Sequence, residues 1–114
     1  MLTLAWVTSD QGSWCNFDLV DLLGVEVIGV YVIWHEGNPG RIIRVGQGDI
    51  ASRLGAHRSE LSISQFRKQG TLRVTWAAVP ADQVDGVERF LAGHLSPLVG
   101  GAFPDAQPIA VNLP

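Results

Sequence analysis

The chain has 114 residues, of which 46% are hydrophobic, and a net charge of −3. That size and composition suit one folded domain with its own core and exclude an intrinsically disordered segment. The acidic balance argues against a grip on nucleic acid through bulk charge, although five arginines lie between Arg41 and Arg67 and leave room for a local basic face. The one cysteine, Cys15, cannot form a disulfide within the chain, so a reducing compartment is expected and Cys15 reads as a packing residue or a surface thiol. No basic stretch followed by an apolar run marks a signal peptide, and no apolar segment is long enough to span a bilayer. A cytoplasmic chain with no membrane partner is expected.

In chain order, Leu2 to Val7 predicts a short strand and Ser9 to Asn16 a polar loop. Phe17, Val20 and Leu23 recur at helical spacing and predict a short helix ended by Gly24. Val27 to Trp34 is rich in Val, Ile, Tyr and Trp and reads as a strand. A Gly/Pro-containing run from His35 to Gly40 joins it to a second strand, Arg41 to Val45, as an antiparallel hairpin. Gly46-Gln47-Gly48 breaks the pattern, and Asp49 caps a helix running from Ile50 to about Ser59. Ser64 caps a shorter helical stretch ending near Gly70.

Leu72 to Val79 alternates as a third strand, with Leu72, Val74, Trp76 and Ala78 on one face. Val84, Val87, Leu91 and Leu95 place a helix over Asp82 to Leu95, which Ser96-Pro97 stops. The Pro- and Gly-containing tail from Leu98 to Pro114 is expected to be irregular but packed. The order predicts a single α/β (α+β) domain over residues 1–114: a small three-stranded antiparallel sheet flanked by helices.

Several residues invite a chemical reading. Arg53 and His57 stand one turn apart on one helix and can meet on one face. His57 lies near the Ile50, Leu54 and Leu61 stripe, and a half-buried histidine with one hydrogen bond would also explain it. Glu88 falls inside the apolar stripe of the last helix, between Val84 and Leu91. A carboxylate turned toward a core needs a partner, either a metal or a cation such as Arg53, unless it reaches water at an edge. Tyr31 suits strand packing, and its hydroxyl needs a partner if buried. Arg44 can hold a phosphate or pair with a carboxylate on the surface, but it cannot act as a base at neutral pH. Gly46 is explained by a tight exit from strand to helix, and Asn112 by a turn before the closing proline. His35 and His94 read as surface residues. No Cys/His spacing suggests zinc, and Gly46-Gln47-Gly48 lacks the lysine of a phosphate loop.

The ordered set Gly29-Val30-Tyr31, Arg44-Val45-Gly46, Arg53, His57, Glu88 and Asn112 resembles the GIY-YIG nuclease domain. The resemblance covers residues 26 to 112, with residues 1–25 as an N-terminal extension packed on the core. It departs at Arg44, where the family usually has tyrosine. It implies a divalent-metal-dependent endonuclease acting on DNA. Tyr31, Arg53 and His57 would be the catalytic residues, and Glu88 would be the one protein carboxylate on Mg²⁺ or Mn²⁺. Gly29, Gly46 and Asn112 would support the site, and Arg44 and Arg58 would bind the substrate. The alternative is a catalytically degenerate module on the same fold, in which arginines hold an anionic ligand, a nucleic acid or a partner protein. A third expectation is a partner protein that supplies the DNA-binding surface.

Overall fold

A computed structural model describes residues 1–114. β-branched and aromatic residues build the two long strands of a hairpin, β2 (Ile28–His35) and β3 (Arg41–Asp49). They pair antiparallel, with Tyr31 opposite Gly46 and Val32 opposite Val45. The connection contains a cis peptide bond at Asn38–Pro39. The third long strand, β4 (Leu72–Ala78), pairs antiparallel with the other side of β2, placing Trp76 beside Tyr31. A two-residue strand, β1 (Cys15–Asn16), adds to the far edge of β4. The sheet therefore has four strands in the order β1-β4-β2-β3, not the expected three. Two residues are too short a run to show a period, and Ser9 to Asn16 reads as loop for that reason.

Helices cover both faces. On one face, α1 (Ile50–His57), α2 (Leu61–Ser64) and a 3₁₀ turn (Gln65–Gln69) lie over Tyr31, Ile33, Ile43, Leu72, Val74 and Trp76. Ile50, Leu54 and Ile63 fill that core together with Phe17 and Cys15. On the other face, α3 (Val84–Leu95) places Val84, Val87 and Leu91 against Val30, Val32, Val45 and Ala77. The alternation along β2 and β4 is thus consumed by two separate cores, one per face. No helix is long and apolar enough to cross a membrane.

Local departures from the sequence reading have local causes. Residues 17–23 form turns, not a helix. The Asn16 side chain accepts from the backbone N–H groups of Asp18 and Leu19, and Asp21 accepts from Leu23. Such side-chain turns compete with helix formation, and they leave Leu19 and Leu23 80% and 89% exposed. Leu2 to Val7 forms no strand: Leu2 makes an isolated parallel bridge with Val111, and Val7 donates to the Trp76 carbonyl. Gly46-Gln47-Gly48 stays within β3, which continues to the helix. Asp49 does cap α1, its carboxylate accepting from the Ser52 N–H at 3.1 Å. Ser64 makes no capping bond. Ser96, with φ at 49°, ends α3 in the left-handed region. The tail is irregular and packed, with Leu98 and Val99 donating to the carbonyls of Ile42 and Ile43 along β3.

Candidate functional site

The site is built around β3 and the start of α1. Tyr31 lies in the middle of β2 with its ring laid across Gly46 of the neighbouring strand. A Cβ at Gly46 would sit 2.2 Å from the Tyr31 hydroxyl and 2.3 Å from its Cζ. Glycine at position 46 is therefore a packing requirement of the tyrosine and not a turn residue. Gly29 meets a similar constraint, since a Cβ there would lie 1.9 Å from the Ala77 carbonyl oxygen.

The Tyr31 hydroxyl is 2.6 Å from His57 Nε2, and both side chains are fully buried. His57 is thus inside the core and not half-buried. Its other ring nitrogen, Nδ1, is 3.0 Å from Glu60 Oε1, at an angle too bent for a good hydrogen bond. Burial holds the His57 pKa below its ordinary value, the Glu60 contact raises it in part, and the charges of Arg44 and Arg53 lower it. His57 is therefore neutral at neutral pH. A neutral imidazole carries one ring proton, and the tautomer decides which of Tyr31 Oη and His57 Nε2 donates.

Arg53 is half-buried one turn before His57, its aliphatic stem beside Gly48. Arg44 lies next to the irregularity in the β2–β3 pairing, with its guanidinium near Gly100 and its Nε buried without a partner. An irregularity of this kind on an edge strand re-aims side chains. Neither arginine forms an ion pair. Arg67 is held by Asp18 and Arg73 by Glu36, so those cations are already neutralised.

Glu88 is 7% exposed on the face of α3 that meets the sheet, and its Oε2 has no partner. The salt bridge to Arg53 that would have explained it is absent. Burial raises the Glu88 pKa, the Gln47 amide lowers it, Asp85 raises it, and Arg44 and Arg53 lower it. Gln47 also ties β3 to α3, donating to Asp85 at 2.6 Å. Arg44 and Arg53 thus act electrostatically on both His57 and Glu88. The structure brings Tyr31 and His57 into contact on the face covered by α1 and places Glu88 on α3, which covers the opposite face of the sheet.

No group of three or more His, Cys, Asp and Glu side chains converges to hold a metal. A cation would have to rest on one carboxylate with water and phosphate oxygens, a set that suits Mg²⁺. The buried, unpartnered Glu88 oxygen fits that arrangement.

Other expected residues lie elsewhere. The Arg58 guanidinium donates to the carbonyls of Phe17 at 2.9 Å and Val20 at 2.6 Å, pinning the 17–23 turns to α1. Asn112 accepts from the Leu4 N–H at 2.6 Å and donates to the Leu4 carbonyl at 3.0 Å, clasping the two ends of the chain. His35, expected at the surface, is buried: it stacks on Phe66 and its Nδ1 accepts from the Gly37 N–H. His94 is exposed, as expected, and stacks on Phe90. Cys15 packs in the core, where burial raises its thiol pKa. Glu60 was missed, although its position three residues after His57 is visible in the sequence. Five surface grooves of 230–440 Å³ are lined by residues other than Tyr31, Arg44, Arg53, His57 and Glu88. No family model, curated protein or solved structure matches the chain.

Proposed function

We propose that the chain is a divalent-metal-dependent endonuclease domain that hydrolyses DNA phosphodiester bonds, in keeping with its resemblance to the GIY-YIG nucleases. One observation carries this reading. A buried Tyr31–His57 hydrogen bond one turn after Arg53, and across the sheet a buried Glu88 Oε2 without a partner, stand with two arginines, Arg44 and Arg53, that form no ion pair. The parts needed for phosphoryl chemistry are a proton acceptor, a cation site and fixed positive charge.

In this mechanism His57 Nε2 takes the Tyr31 proton, so that the phenol oxygen can accept one from water. An unassisted phenol, with a pKa of about 10, is a poor base at neutral pH. Arg53 and Arg44 neutralise charge that builds on the phosphate. A divalent cation, when bound on Glu88, supplies Lewis-acid polarisation of a phosphate oxygen. Uncovering the Tyr31 hydroxyl is a required step, because that side chain is fully buried.

The same burial, together with Arg44 in place of the family tyrosine, favours a second reading. In it the domain has lost catalysis and holds an anionic ligand, nucleic acid or partner protein through Arg44 and Arg53, and the Tyr31–His57 bond is structural.

Incubation with supercoiled, linear and branched DNA in Mg²⁺ or Mn²⁺ tests the first reading. The expected result is cleavage that disappears in Glu88→Ala and Arg53→Ala. Absence of cleavage on every substrate would exclude it. Salt-dependent DNA binding by the isolated chain would count against the need for a partner protein that supplies the DNA-binding surface.

A further inference from the structure

We infer that Glu60 is the positioning residue of a Tyr31–His57–Glu60 proton relay, fixing the His57 tautomer that lets Nε2 accept the Tyr31 proton. The inference builds on the endonuclease reading, but its first test does not depend on DNA cleavage.

Two observations carry it. The three groups follow one another in contact: Tyr31 Oη is 2.6 Å from Nε2, and Nδ1 is 3.0 Å from Glu60 Oε1. The second is what Glu60 does not do. It occupies the N-cap position of α2, and its carbonyl accepts from Ile63 and Ser64. A carboxylate at that position would ordinarily cap the helix. Here the side chain makes no capping bond and turns back to His57 instead. The carboxylate is partly exposed, so it can rotate into line with Nδ1–H at little cost, while the imidazole is locked by the core.

A carboxylate accepts only, so it selects the Nδ1–H form and leaves the Nε2 lone pair on Tyr31. During attack, water oxygen bonds to phosphorus and its proton passes to Tyr31 Oη. The proton of Tyr31 passes to Nε2, and the leaving oxygen departs with the electron pair of the broken P–O bond. The imidazolium so formed keeps its Nδ1–H toward Glu60, which stabilises the charge. A third group that orients a base in this way is the general logic of nucleophile–base–carboxylate triads. The charged groups acting on His57 are Glu60, which favours the imidazolium, and Arg44 and Arg53, which oppose it.

Nitrogen NMR of the imidazole ring distinguishes the tautomers. Wild-type His57 is expected as Nδ1–H, Glu60→Ala as a mixture, and Glu60→Lys as Nε2–H, because an ammonium group repels the proton from Nδ1. The Glu60 side chain caps nothing, so these variants should keep the fold. An Nε2–H form in the wild type, or one tautomer shared by all three proteins, would overturn the relay. Cleavage kinetics supply the second arm. Glu60→Ala should lower kcat by about tenfold or more with KM unchanged, and should move the acid limb of the pH profile downward, because removing the carboxylate lowers the His57 pKa further. A tautomer that depends on Glu60 in a protein that cuts no DNA would retain the relay and reject the nuclease. Cleavage with a tautomer indifferent to Glu60 would do the reverse.

Discussion

Gly46→Ala should damage the domain far more than a glycine-to-alanine change in a strand ordinarily does. The added Cβ would lie 2.2, 2.3 and 2.8 Å from Oη, Cζ and Cε1 of Tyr31, whereas non-bonded carbons sit about 3.5–4.0 Å apart. The ring must therefore move by about 1 Å or more. Its hydroxyl, 2.6 Å from His57 Nε2, then loses a usable hydrogen bond in a site closed to water. Overpacking costs about 1–3 kcal/mol, and a buried polar group left unpaired costs about 1–3 kcal/mol more. The sum of about 2–6 kcal/mol is a large part of the roughly 5–15 kcal/mol that holds a domain together. Thermal and urea denaturation followed by circular dichroism should show a Tm lower by about 10 °C or more. In a Tyr31→Leu background the clash is gone, and Gly46→Ala should cost less than about 1 kcal/mol. A cost within about 0.5 kcal/mol of zero in the wild type, or an equal cost in both backgrounds, would refute this account of Gly46.

Further outcomes follow from other residues. Glu88→Gln should raise Tm at pH 7 in metal-free buffer. The folded-state pKa of Glu88 is raised, so its contribution is complete below the ordinary carboxylate value and is lost as pH rises through the folded value; the gap between variant and wild type should close as pH falls toward about 4.3. Mg²⁺ or Mn²⁺ should raise the Tm of the wild type and leave that of Glu88→Gln unchanged. Arg58→Ala should lower stability by about 1.5–3 kcal/mol through the loss of two charged hydrogen bonds and leave affinity for inorganic phosphate unaltered, whereas Arg53→Ala should weaken that affinity with little loss of stability. Asn112→Ala should cost about 1–3 kcal/mol without changing the His57 ring shifts, since it releases Leu4 and not the site.

The sequence carried most of the frame because its strands and its last helix are written in local patterns. Val27 to Trp34 and Leu72 to Val79 read as strands from residue type alone, and β2 and β4 lie there. The period of Val84, Val87 and Leu91 placed α3 and put Glu88 on its buried side, as the structure does. Asp49 announced the start of α1 by the chemistry of its side chain.

What escaped depended on partners distant in sequence. Nothing near Asn112 reveals that it clasps Leu4, 108 residues away. Gly46-Gln47-Gly48 resembles a break because glycine marks turns. Only the register, with Tyr31 opposite Gly46, shows that the glycine makes room for a ring. The helical spacing of Phe17, Val20 and Leu23 misled because Asn16 and Asp21 bond the backbone first. Arg58 reads in the sequence as a substrate-binding cation, but its guanidinium is held by two distant backbone carbonyls. Of the site, the Arg53–His57 turn was legible as a helical pair. The Tyr31–His57 bond joins two elements, and helical periodicity alone could not supply it.

The endonuclease reading stands most directly on Glu88 as a cation site, on the α3 side of the sheet. A crystal of the protein soaked in Mn²⁺ and measured at the manganese absorption edge tests this in one step. The expected result is an anomalous peak on the Glu88 carboxylate. A peak elsewhere, or none at Glu88 with the carboxylate unchanged in its apolar setting, would contradict it.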